Sequence, residues 1–481
     1  MKYPKRSFSA KAGGLLLAFA TLAGNSAWAE TIRVAIGTQD TTINCAAGGL
    51  IVRELKLLEK YLPKDGKYKD VTYDIVWKDF TSGAPLTNEM VANKLDIGNM
   101  ADFPGANNGV AHVKAGKKSV FISVLSGSTI GSGNGIVVPL DSKIETINDL
   151  RGKNISVPFA STSHGMLLRV LKDHNIDPDK DLKLTTQSPE VAGSALKAGK
   201  IDAHADFVPF AELFPYRGFA RKIYDGAQAN VPTYHGTLAN VDYANKYPEI
   251  IVAYLRATIE ANRLFNEDPE KYSELIAKVT GIDAEVNYLF HGALGLQTRD
   301  LTWKPEYRQA LATAIKTLVL LKRNDTFLDP ETFIDDRYIR EAFKQSGLDY
   351  EKQLKDYSKL PLASTKDART GAAITDAKLA AQLWVAGEAK VRAYASPDSA
   401  FADKAALEKE GKKVRVAYVQ DRNNGIKLFA DQAFYVKNAK GQLAAFLDKR
   451  SADAWAKAKG GAVIEYAALT GNKPAKLAAA N

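Results

Sequence analysis

The chain has 481 residues and a formal net charge of +10, and 25% of its residues are charged. Basic and acidic residues are interspersed, which argues against a nucleic-acid-binding protein because such proteins gather basic residues on one face. The single cysteine, Cys45, excludes a disulfide scaffold and a cysteine-based metal site. A chain of this length predicts about three domains.

Residues 1–29 have the features of a signal peptide. Four basic residues surround the start of the segment, the apolar stretch GGLLLAFATLAG follows, and the small-x-small pattern AWA closes it. The apolar stretch is shorter than the ~20 residues that span a bilayer. We therefore expect export to the periplasm and a mature chain that begins near Glu30. Removal of the four basic residues lowers the net charge from +10 to +6.

Strand-like and helix-like segments alternate through the first third of the chain. The predicted strands are 31–37, 71–77 and 96–101, and the predicted helices are 49–62 and 85–95. The strands carry alternating or continuous apolar residues, whereas the helices repeat them every three or four positions. This alternation predicts a parallel sheet covered by helices on both faces.

A second alternation of the same kind is inserted after the first. Segments 118–128 and 134–139 are predicted to be extended and to cross between the two units, and 144–159 predicts a short helix and then a strand. The remaining predicted elements of this unit are helices 164–176 and 189–201 and strands 181–188 and 201–207. The pattern therefore indicates two nested α/β units.

The rest of the chain changes character twice. Helices are predicted at 248–265, 270–280 and 305–322, each with a proline at or near its first turn. Residues 351–372 are polar and lack a strong apolar period, which predicts a linker. Strands at 414–419, 427–436 and 462–467 and a helix at 451–461 then predict a small α+β module over residues 373–481.

Four strand-to-helix turns, at 38–44, 79–90, 99–105 and 159–166, are rich in hydroxyl side chains and glycine. In open α/β sheets, ligands bind beyond the carboxyl ends of the strands, where helix N-termini present free N–H groups. The hydroxyl groups of Ser82 and of the run Ser161–Ser163 can donate hydrogen bonds without adding charge, and Gly83 allows close backbone approach. One hydroxyl of the run is expected to cap a helix and the others to face a ligand.

Enzyme and metal motifs are missing from the sequence. It contains no G-x-S-x-G, no P-loop and no H-E-x-x-H, and its six histidines lack metal-ligand spacing. After Tyr350 there is no histidine, cysteine or methionine, which argues against copper or zinc in the C-terminal module. We therefore predict no catalytic residue, no metal and no cofactor.

Several stretches resemble a known family. TIRVAIG, TSGAPLTNEMVANKLDIGNMADFPG, IETINDLRGKNISVPFASTSHGMLLRVL and KAGKIDAHADFVPFAELF are similar to periplasmic solute-binding proteins of the nitrate/sulfonate/taurine group of ABC importers. The resemblance covers roughly residues 31–345. It implies a type II fold in which lobe 1 comprises residues 30–130 and 236–350 and lobe 2 comprises residues 131–235. Ligand lies between the lobes, which close by hinge motion near 126–136 and 232–240.

The resemblance also implies the ligand contacts and the partners. The partners are a small-molecule solute and an ABC transporter permease, no nucleic acid is expected, and the protein is expected to be a monomer. The implied solute is a small organic or inorganic anion or zwitterion of the nitrate, sulfonate or taurine type. Three of the implied contacts are acidic and the turns contain no arginine, which argues against a strongly anionic solute and leaves a zwitterion, a neutral solute or a weak acid open. The implied contacts are Gln39, Asp40, Ser82, Gly83, Ala101, Asp102, Ser161, Thr162, Ser163, His164, Asp206 and Phe207, with His235 at the second crossing.

The C-terminal module shows a second resemblance, and two alternative functions remain open. FADQAFYVKNAKGQLAAFLDKRSADAWAKAKGGAVIEY resembles the NosL-like domain, a copper-associated family, but without its soft metal ligands. One alternative is an exported enzyme resembling the pyrimidine-precursor synthases, which rests on Cys45 near the first turn. The other is a metallochaperone-like accessory role centred on the C-terminal module.

Overall fold

The structure is a computed structural model that describes residues 30–320 and 328–470. The predicted signal peptide, and the end of the helix predicted at 305–322, lie outside the described residues. The strands are β1 Thr31–Thr38, β2 Thr72–Asp79, β3 Ile97–Ala101, β4 Ser119–Ser128, β5 Gly135–Pro139, β6 Asn154–Ser156, β7 Lys183–Thr185, β8 Ala203–Asp206, β9 Ala220–Asp225, β10 Thr233–Asn240, β11 Ala381–Val385, β12 Arg392–Tyr394, β13 Val414–Gln420, β14 Lys427–Phe429, β15 Phe434–Asn438, β16 Leu443–Phe446 and β17 Gly461–Ile464.

The α-helices follow the strands in alternation through the first half of the chain and dominate its middle. They are α1 Leu50–Glu54, α2 Leu57–Tyr61, α3 Gly83–Val91, α4 Asp102–Lys114, α5 Thr162–Asp173, α6 Pro189–Lys197, α7 Phe210–Tyr216, α8 Val241–Lys246, α9 Pro248–Glu267, α10 Pro269–Thr280, α11 Ala284–His291, α12 Pro305–Leu320, α13 Arg337–Gln345, α14 Tyr350–Lys355, α15 Pro397–Lys409, α16 Lys449–Lys459 and α17 Tyr466–Thr470.

Lobe 1 is built on a five-stranded sheet of order β2-β1-β3-β10-β4. Strand β1 is parallel to β2 and β3, whereas β10 returns antiparallel between β3 and β4. All five residues of β3 are buried, as expected of a central strand covered on both faces. Because β1 and β3 point the same way, the turns after them lie at one edge of the sheet, and the start of α4 follows directly there.

Lobe 2 is built on a second five-stranded sheet of order β7-β6-β8-β5-β9. Strand β6 is parallel to β7 and β8, and β5 is antiparallel to β8 and β9. A separate apolar cluster lies between this sheet and α5, with Ile136, Ile155 and Leu167 fully buried. The two sheets and their helices form the two-lobed type II periplasmic binding protein architecture.

The C-terminal module contains two small antiparallel sheets of order β12-β11-β13-β14 and β16-β15-β17. It packs on α11 of lobe 1, and Lys427 is buried at that contact between the rings of Tyr288 and Tyr418. The Lys427 ammonium donates to the Ala293 carbonyl oxygen at 3.0 Å. Burial without a carboxylate partner lowers the pKa of Lys427 well below its ordinary value.

Two predicted elements are wrong in detail. The predicted helix 49–62 is two short helices, because Lys56 takes a left-handed conformation with φ of 52° and interrupts the i to i+4 hydrogen bonds. The predicted strand 427–436 is split by a 3₁₀ turn at Ala430–Gln432, so that β14 and β15 belong to different sheets. The short helix predicted within 144–159 is the 3₁₀ helix Ile147–Leu150.

Candidate functional site

A cleft that encloses about 320 Å³ of space, part of it open to solvent, lies between the two lobes at the carboxyl ends of their parallel strands. Among the described residues, its walls contain no carboxylate, lysine or arginine. The lining residues are Gln39, Thr42, Ser82, Gly83, Ala84, Ala101, Pro104, Phe159, Ala160, Ser161, Thr162, Phe207 and His235.

Three helices begin at this cavity. Gly83 opens α3, Thr162 opens α5, and Ala101 is the residue before α4. The first N–H groups of a helix have no intrahelical partner and lie at the positive end of the helix dipole. The three starts converge from both lobes, so the cavity favours a group that accepts hydrogen bonds and carries negative charge.

The three hydroxyl residues at the start of α5, Ser161–Ser163, have different roles. The Ser161 hydroxyl accepts the His164 backbone N–H at 3.2 Å and so caps the helix, as its position predicts. The Ser163 hydroxyl lies 2.9 Å from that of Ser161 and is fully buried behind it. Ser161 and Thr162 line the cavity. Two of the three residues are therefore in place to meet a ligand, and the third supports the cap.

Thr42 adds a hydroxyl that the sequence analysis did not single out. The residue is 1% exposed and lines the cavity, and its Oγ1 has no hydrogen-bond partner among the described residues. Leaving a buried hydroxyl unpaired costs about 1–3 kcal/mol. A ligand oxygen in the cavity would remove that penalty.

The three acidic residues implied by the resemblance lie behind the cavity wall. The Asp40 carboxylate accepts from the Thr38 hydroxyl at 2.6 Å and forms an ion pair with Arg53 at 2.8 Å. The Asp206 carboxylate accepts from the Phe207 backbone N–H and contacts His204 at 2.8 Å. Burial raises the pKa of Asp206.

Asp102 is held in the same way at the start of α4. Its carboxylate accepts from its own neighbour Phe103 N–H, from the Thr233 hydroxyl at 2.9 Å and from the Tyr234 backbone N–H. Burial raises the pKa of Asp102 to about 6 although these bonds favour its charged form. The carboxylates therefore brace the turns, and the acidity that the sequence assigned to the cleft is absent from its walls.

A smaller cavity of about 210 Å³ shares Thr162 with the main one and is bounded by Asp102 and Arg169. Arg169 lies on α5, seven residues after Thr162 and therefore on the same helix face. Burial lowers the pKa of Arg169, and the charge of Asp102 opposes that shift. Arg169 lies outside the turns, so the turn pattern did not indicate it, although its helical spacing from Thr162 places it beside the cleft.

The predicted contacts separate into two groups. Eight of the thirteen line the main cavity and five do not, and five further lining residues were not selected. All five unselected lining residues lie within the four turns that the sequence indicated, so the turns were recognised and these individual residues were not. The residues that line it are Gln39, Ser82, Gly83, Ala101, Ser161, Thr162, Phe207 and His235; those that do not are Asp40, Asp102, Ser163, His164 and Asp206; those not selected are Thr42, Ala84, Pro104, Phe159 and Ala160.

Cys45 lies outside the cavity lining and is 1% exposed. Burial raises the pKa of its thiol, and the nearby Asp40 charge adds to the shift, so the nucleophilic thiolate is disfavoured. Within residues 30–320 and 328–470, no group of three or more histidine, cysteine, aspartate or glutamate side chains could hold a metal ion. In the same ranges, no helix combines the length and the apolar character needed to cross a membrane.

Comparison with known proteins gives related chains in one group. Residues 100–272 match the family described as NMT1/THI5 like. A taurine-binding periplasmic protein of Escherichia coli (strain K12) is 30% identical over 241 residues, which cover 47% of this chain and 72% of that protein.

Solved structures agree with the sequence relatives. The periplasmic aliphatic sulphonate binding protein of Escherichia coli is 25% identical with a TM-score of 0.51, over 65% of this chain and 99% of that one. The periplasmic nitrate-binding protein of Synechocystis PCC 6803 shares the fold at 14% identity and a TM-score of 0.53, over 68% of this chain and 91% of that one. The resemblance of the NosL-like type in the C-terminal module stays a prediction. The resemblance to periplasmic solute-binding proteins is confirmed, and the chain belongs to the periplasmic solute-binding protein family of the nitrate/sulfonate/taurine group.

Proposed function

We propose that the chain captures a small organic oxyanion, of the sulfonate type, between its lobes and delivers it to an ABC permease. The observation that carries this proposal is the convergence of three helix N-termini on a cavity without carboxylates. The relatives in the comparison are binding proteins, and two of them bind taurine or aliphatic sulfonates by name. Neutral donors and helix dipoles suit an anion with several equivalent oxygens.

The proposed ligand is small and bears its negative charge at one end. The main cavity favours the oxyanion, and a short second substituent would point toward the adjoining pocket bounded by Asp102 and Arg169. An ammonium group on that substituent would lie nearest to Asp102, which keeps a zwitterion such as an aminosulfonate within the proposed class.

The organisation of the chain follows from the same proposal. We assign lobe 1 to residues 30–130 and 236–350, lobe 2 to residues 131–235, and the C-terminal module to residues 373–481 after a connecting segment. The two sheets support this division, since β5 to β9 all lie within residues 131–235. The periplasm is the proposed location, as in the relatives, and a monomer is the proposed state.

Matched pairs of compounds in a thermal-shift assay and in calorimetry test the proposed function. We expect ethanesulfonate and taurine to stabilise the protein, because ligand at a hundredfold excess over Kd adds about 2.7 kcal/mol to folded-state stability. Ethanesulfonamide, which has nearly the same shape without the charge, should bind at least tenfold more weakly. Equal binding of both compounds, or no binding of any sulfonate, nitrate or bicarbonate, would overturn the proposal.

No observation favours the alternative of an exported enzyme. That hypothesis rested on Cys45, whose thiol is buried away from the cavity and has a raised pKa. Incubation of a bound sulfonate with the protein should return it unchanged, and appearance of a product would transfer the proposal to the enzyme class.

A further inference from the structure

A chain of side-chain hydrogen bonds connects the first interlobe crossing to the cavity. The Gln297 amide nitrogen donates to the Ser132 carbonyl oxygen at 2.6 Å, and the Gln297 amide oxygen accepts from the Asn44 amide nitrogen at 2.6 Å. The same Asn44 nitrogen lies 2.9 Å from Nδ1 of His235, and the Asn44 oxygen lies 2.7 Å from Nε2 of His291. All five residues are buried, with at most 3% exposure.

The direction of this chain is set at its first member. A backbone carbonyl can only accept, so the group of Gln297 that faces Ser132 must be the amide nitrogen. The Gln297 amide oxygen then faces Asn44, so Asn44 must donate to it from its amide nitrogen. Both hydrogens of that nitrogen are therefore donated, one to Gln297 and the other to His235.

The two histidines at the end of the chain then have defined tautomers. His235 accepts at Nδ1, so in its neutral form the ring hydrogen is on Nε2. His291 must donate from Nε2 to the Asn44 oxygen. Burial lowers the pKa of His235 to about 3, and that of His291 well below its ordinary value, so both rings are neutral at physiological pH.

We infer that Asn44, Gln297 and the Ser132 carbonyl are positioning groups that hold His235 as a neutral Nε2–H donor to the ligand. His235 lines the cavity while its Nδ1 is occupied, and no hydrogen bond among the described residues uses its Nε2. If Nε2 of His235 always carries hydrogen, it can bind a ligand oxygen but not a ligand N–H group. Two donors that face each other would both be left without an acceptor. The identity of the ligand rests on the proposed function, whereas the tautomer of His235 does not depend on it.

Nitrogen NMR of the ligand-free protein tests the tautomer directly. A long-range ¹H–¹⁵N spectrum of histidine-labelled protein, with His235→Gln for assignment, should show the hydrogen of His235 on Nε2 at every pH from 5.5 to 8.5. A hydrogen on Nδ1, or an imidazolium in this range, would overturn the inference whether or not any sulfonate binds.

Asn44→Asp tests the positioning role, because the variant side chain has nearly the same shape but can only accept. Nδ1 of His235 must then carry hydrogen, so above the pKa of the altered ring Nε2 presents a lone pair to the ligand. We expect sulfonate affinity at pH 8.5 to fall at least tenfold and to recover partly at lower pH as the imidazolium forms. The other titratable groups around Asn44 and His235 are His291, Arg299, Cys45 and Asp102, and the carboxylate of Asp102 accepts hydrogen bonds from Thr233 and Tyr234 on the strand of His235.

Asn108→Asp is the matched control, since Asn108 is fully buried and hydrogen-bonded to Ser119 and Thr87 outside the cavity lining. It should leave the pH profile of binding the same as in the unchanged protein. An Asn44→Asp profile that matches the profile of the unchanged protein would contradict the positioning role. If Asn44→Asp does not fold, the tautomer of His235 measured in the unchanged protein still tests the inference. A chain that binds no oxyanion but has Nε2–H on His235 would overturn the proposed function alone.

Discussion

Buried polar side chains near the cavity differ in whether the protein itself satisfies them. Asp102 and Asp206 each receive several hydrogen bonds from neighbouring residues. The hydroxyl of Thr42 receives none among the described residues and lies at the cavity surface. Because unpaired buried groups are rare in folded proteins, this contrast identifies the side chain that a ligand would satisfy.

Thr42→Val replaces the hydroxyl with a methyl group of similar shape. We expect about fivefold weaker sulfonate binding, since one hydrogen bond contributes about 1 kcal/mol. The free energy of unfolding should stay constant or rise, because the variant removes an unpaired buried group. Thr258→Val is the control: that hydroxyl donates to the Tyr254 carbonyl oxygen on α9, so stability should fall slightly and affinity should not change. Unchanged affinity in Thr42→Val, measured by calorimetry, would contradict the assignment.

The lowered pKa of His235 predicts acid sensitivity. Its pKa is about 3 in the folded protein and about 6.5 when unfolded, so the unfolded chain binds more protons between these values. Stability is therefore complete above pH 6.5 and decreases as the pH falls toward 3. Between pH 7.5 and 4.5 we expect this histidine to account for a loss of about 2–3 kcal/mol.

Urea unfolding of the unchanged protein and of His235→Gln at these two pH values measures that loss. The variant should lose correspondingly less stability on acidification, although His291 shifts in the same direction and keeps part of the effect. Equal losses in the two proteins would contradict the buried neutral state of His235.

At the scale of elements, the cavity depends on how closely α3 and α4 approach. Gly83 is the first residue of α3, and a Cβ built there would lie 2.5 Å from Cβ of Pro104 in the first turn of α4. Real side chains do not approach so closely, so glycine is needed for this packing rather than for a special backbone angle. The close approach brings both helix starts to the same cavity.

Gly83→Ala should therefore separate the two helix starts. We expect a loss of about 1–3 kcal/mol in the free energy of unfolding, as is typical of overpacking, together with weaker ligand binding. Asn88→Ala, at an exposed position of the same helix, should change stability by less than about 0.5 kcal/mol and leave binding unchanged. Denaturant titrations of both variants provide the comparison, and a fully stable Gly83→Ala would contradict the close packing.

Element prediction succeeded where the local pattern and the tertiary environment agree. The segments 31–37, 71–77 and 96–101 form β1, β2 and β3. Strand β3 is buried along its whole length and β2 is a partly exposed edge strand, and both environments agree with the apolar patterns of the segments. The predicted helix 49–62 was wrong because apolar spacing continues across Lys56, where the backbone turns left-handed. Apolar periodicity indicates which face of a helix is buried. It does not indicate a single residue at which the helix is interrupted.

At the scale of the whole molecule, the C-terminal module shares a core with the lobes. Trp384 on β11 packs against Tyr288 of α11, with ring centroids 5.2 Å apart, and Phe429 packs against Tyr216 at the end of α7 in lobe 2 at 5.0 Å. The module therefore contacts both lobes. Contacts of this kind couple its stability to theirs.

Trp384→Ala should lower the melting temperature of lobe 1 and the module together. We expect a loss of about 3–5 kcal/mol, as for a large aromatic side chain removed from a core, and a shift of the shared calorimetric transition by several degrees. Trp455→Ala is the control, because Trp455 is half-buried and belongs to a separate small cluster around Phe446. Two resolved transitions, only the smaller of which responds to Trp384→Ala, would show an independent module.

The sequence by itself determined the order of elements, the two nested α/β units and the turns at the carboxyl ends of their strands, because these follow from apolar periodicity and from strand-to-helix alternation. The two-lobed fold was implied by the resemblance to the binding-protein family. Only the tertiary structure decided which side chain of each turn faces the cavity. Asp40 forms an ion pair with Arg53, whereas Thr42, two residues later, lines the cavity and its hydroxyl has no partner in the part of the chain that the structure describes. The physical reason is that the orientation of a turn depends on side chains that contact it in the folded protein, such as Arg53 and Gln297. The pattern of the turn sequence does not indicate these contacts.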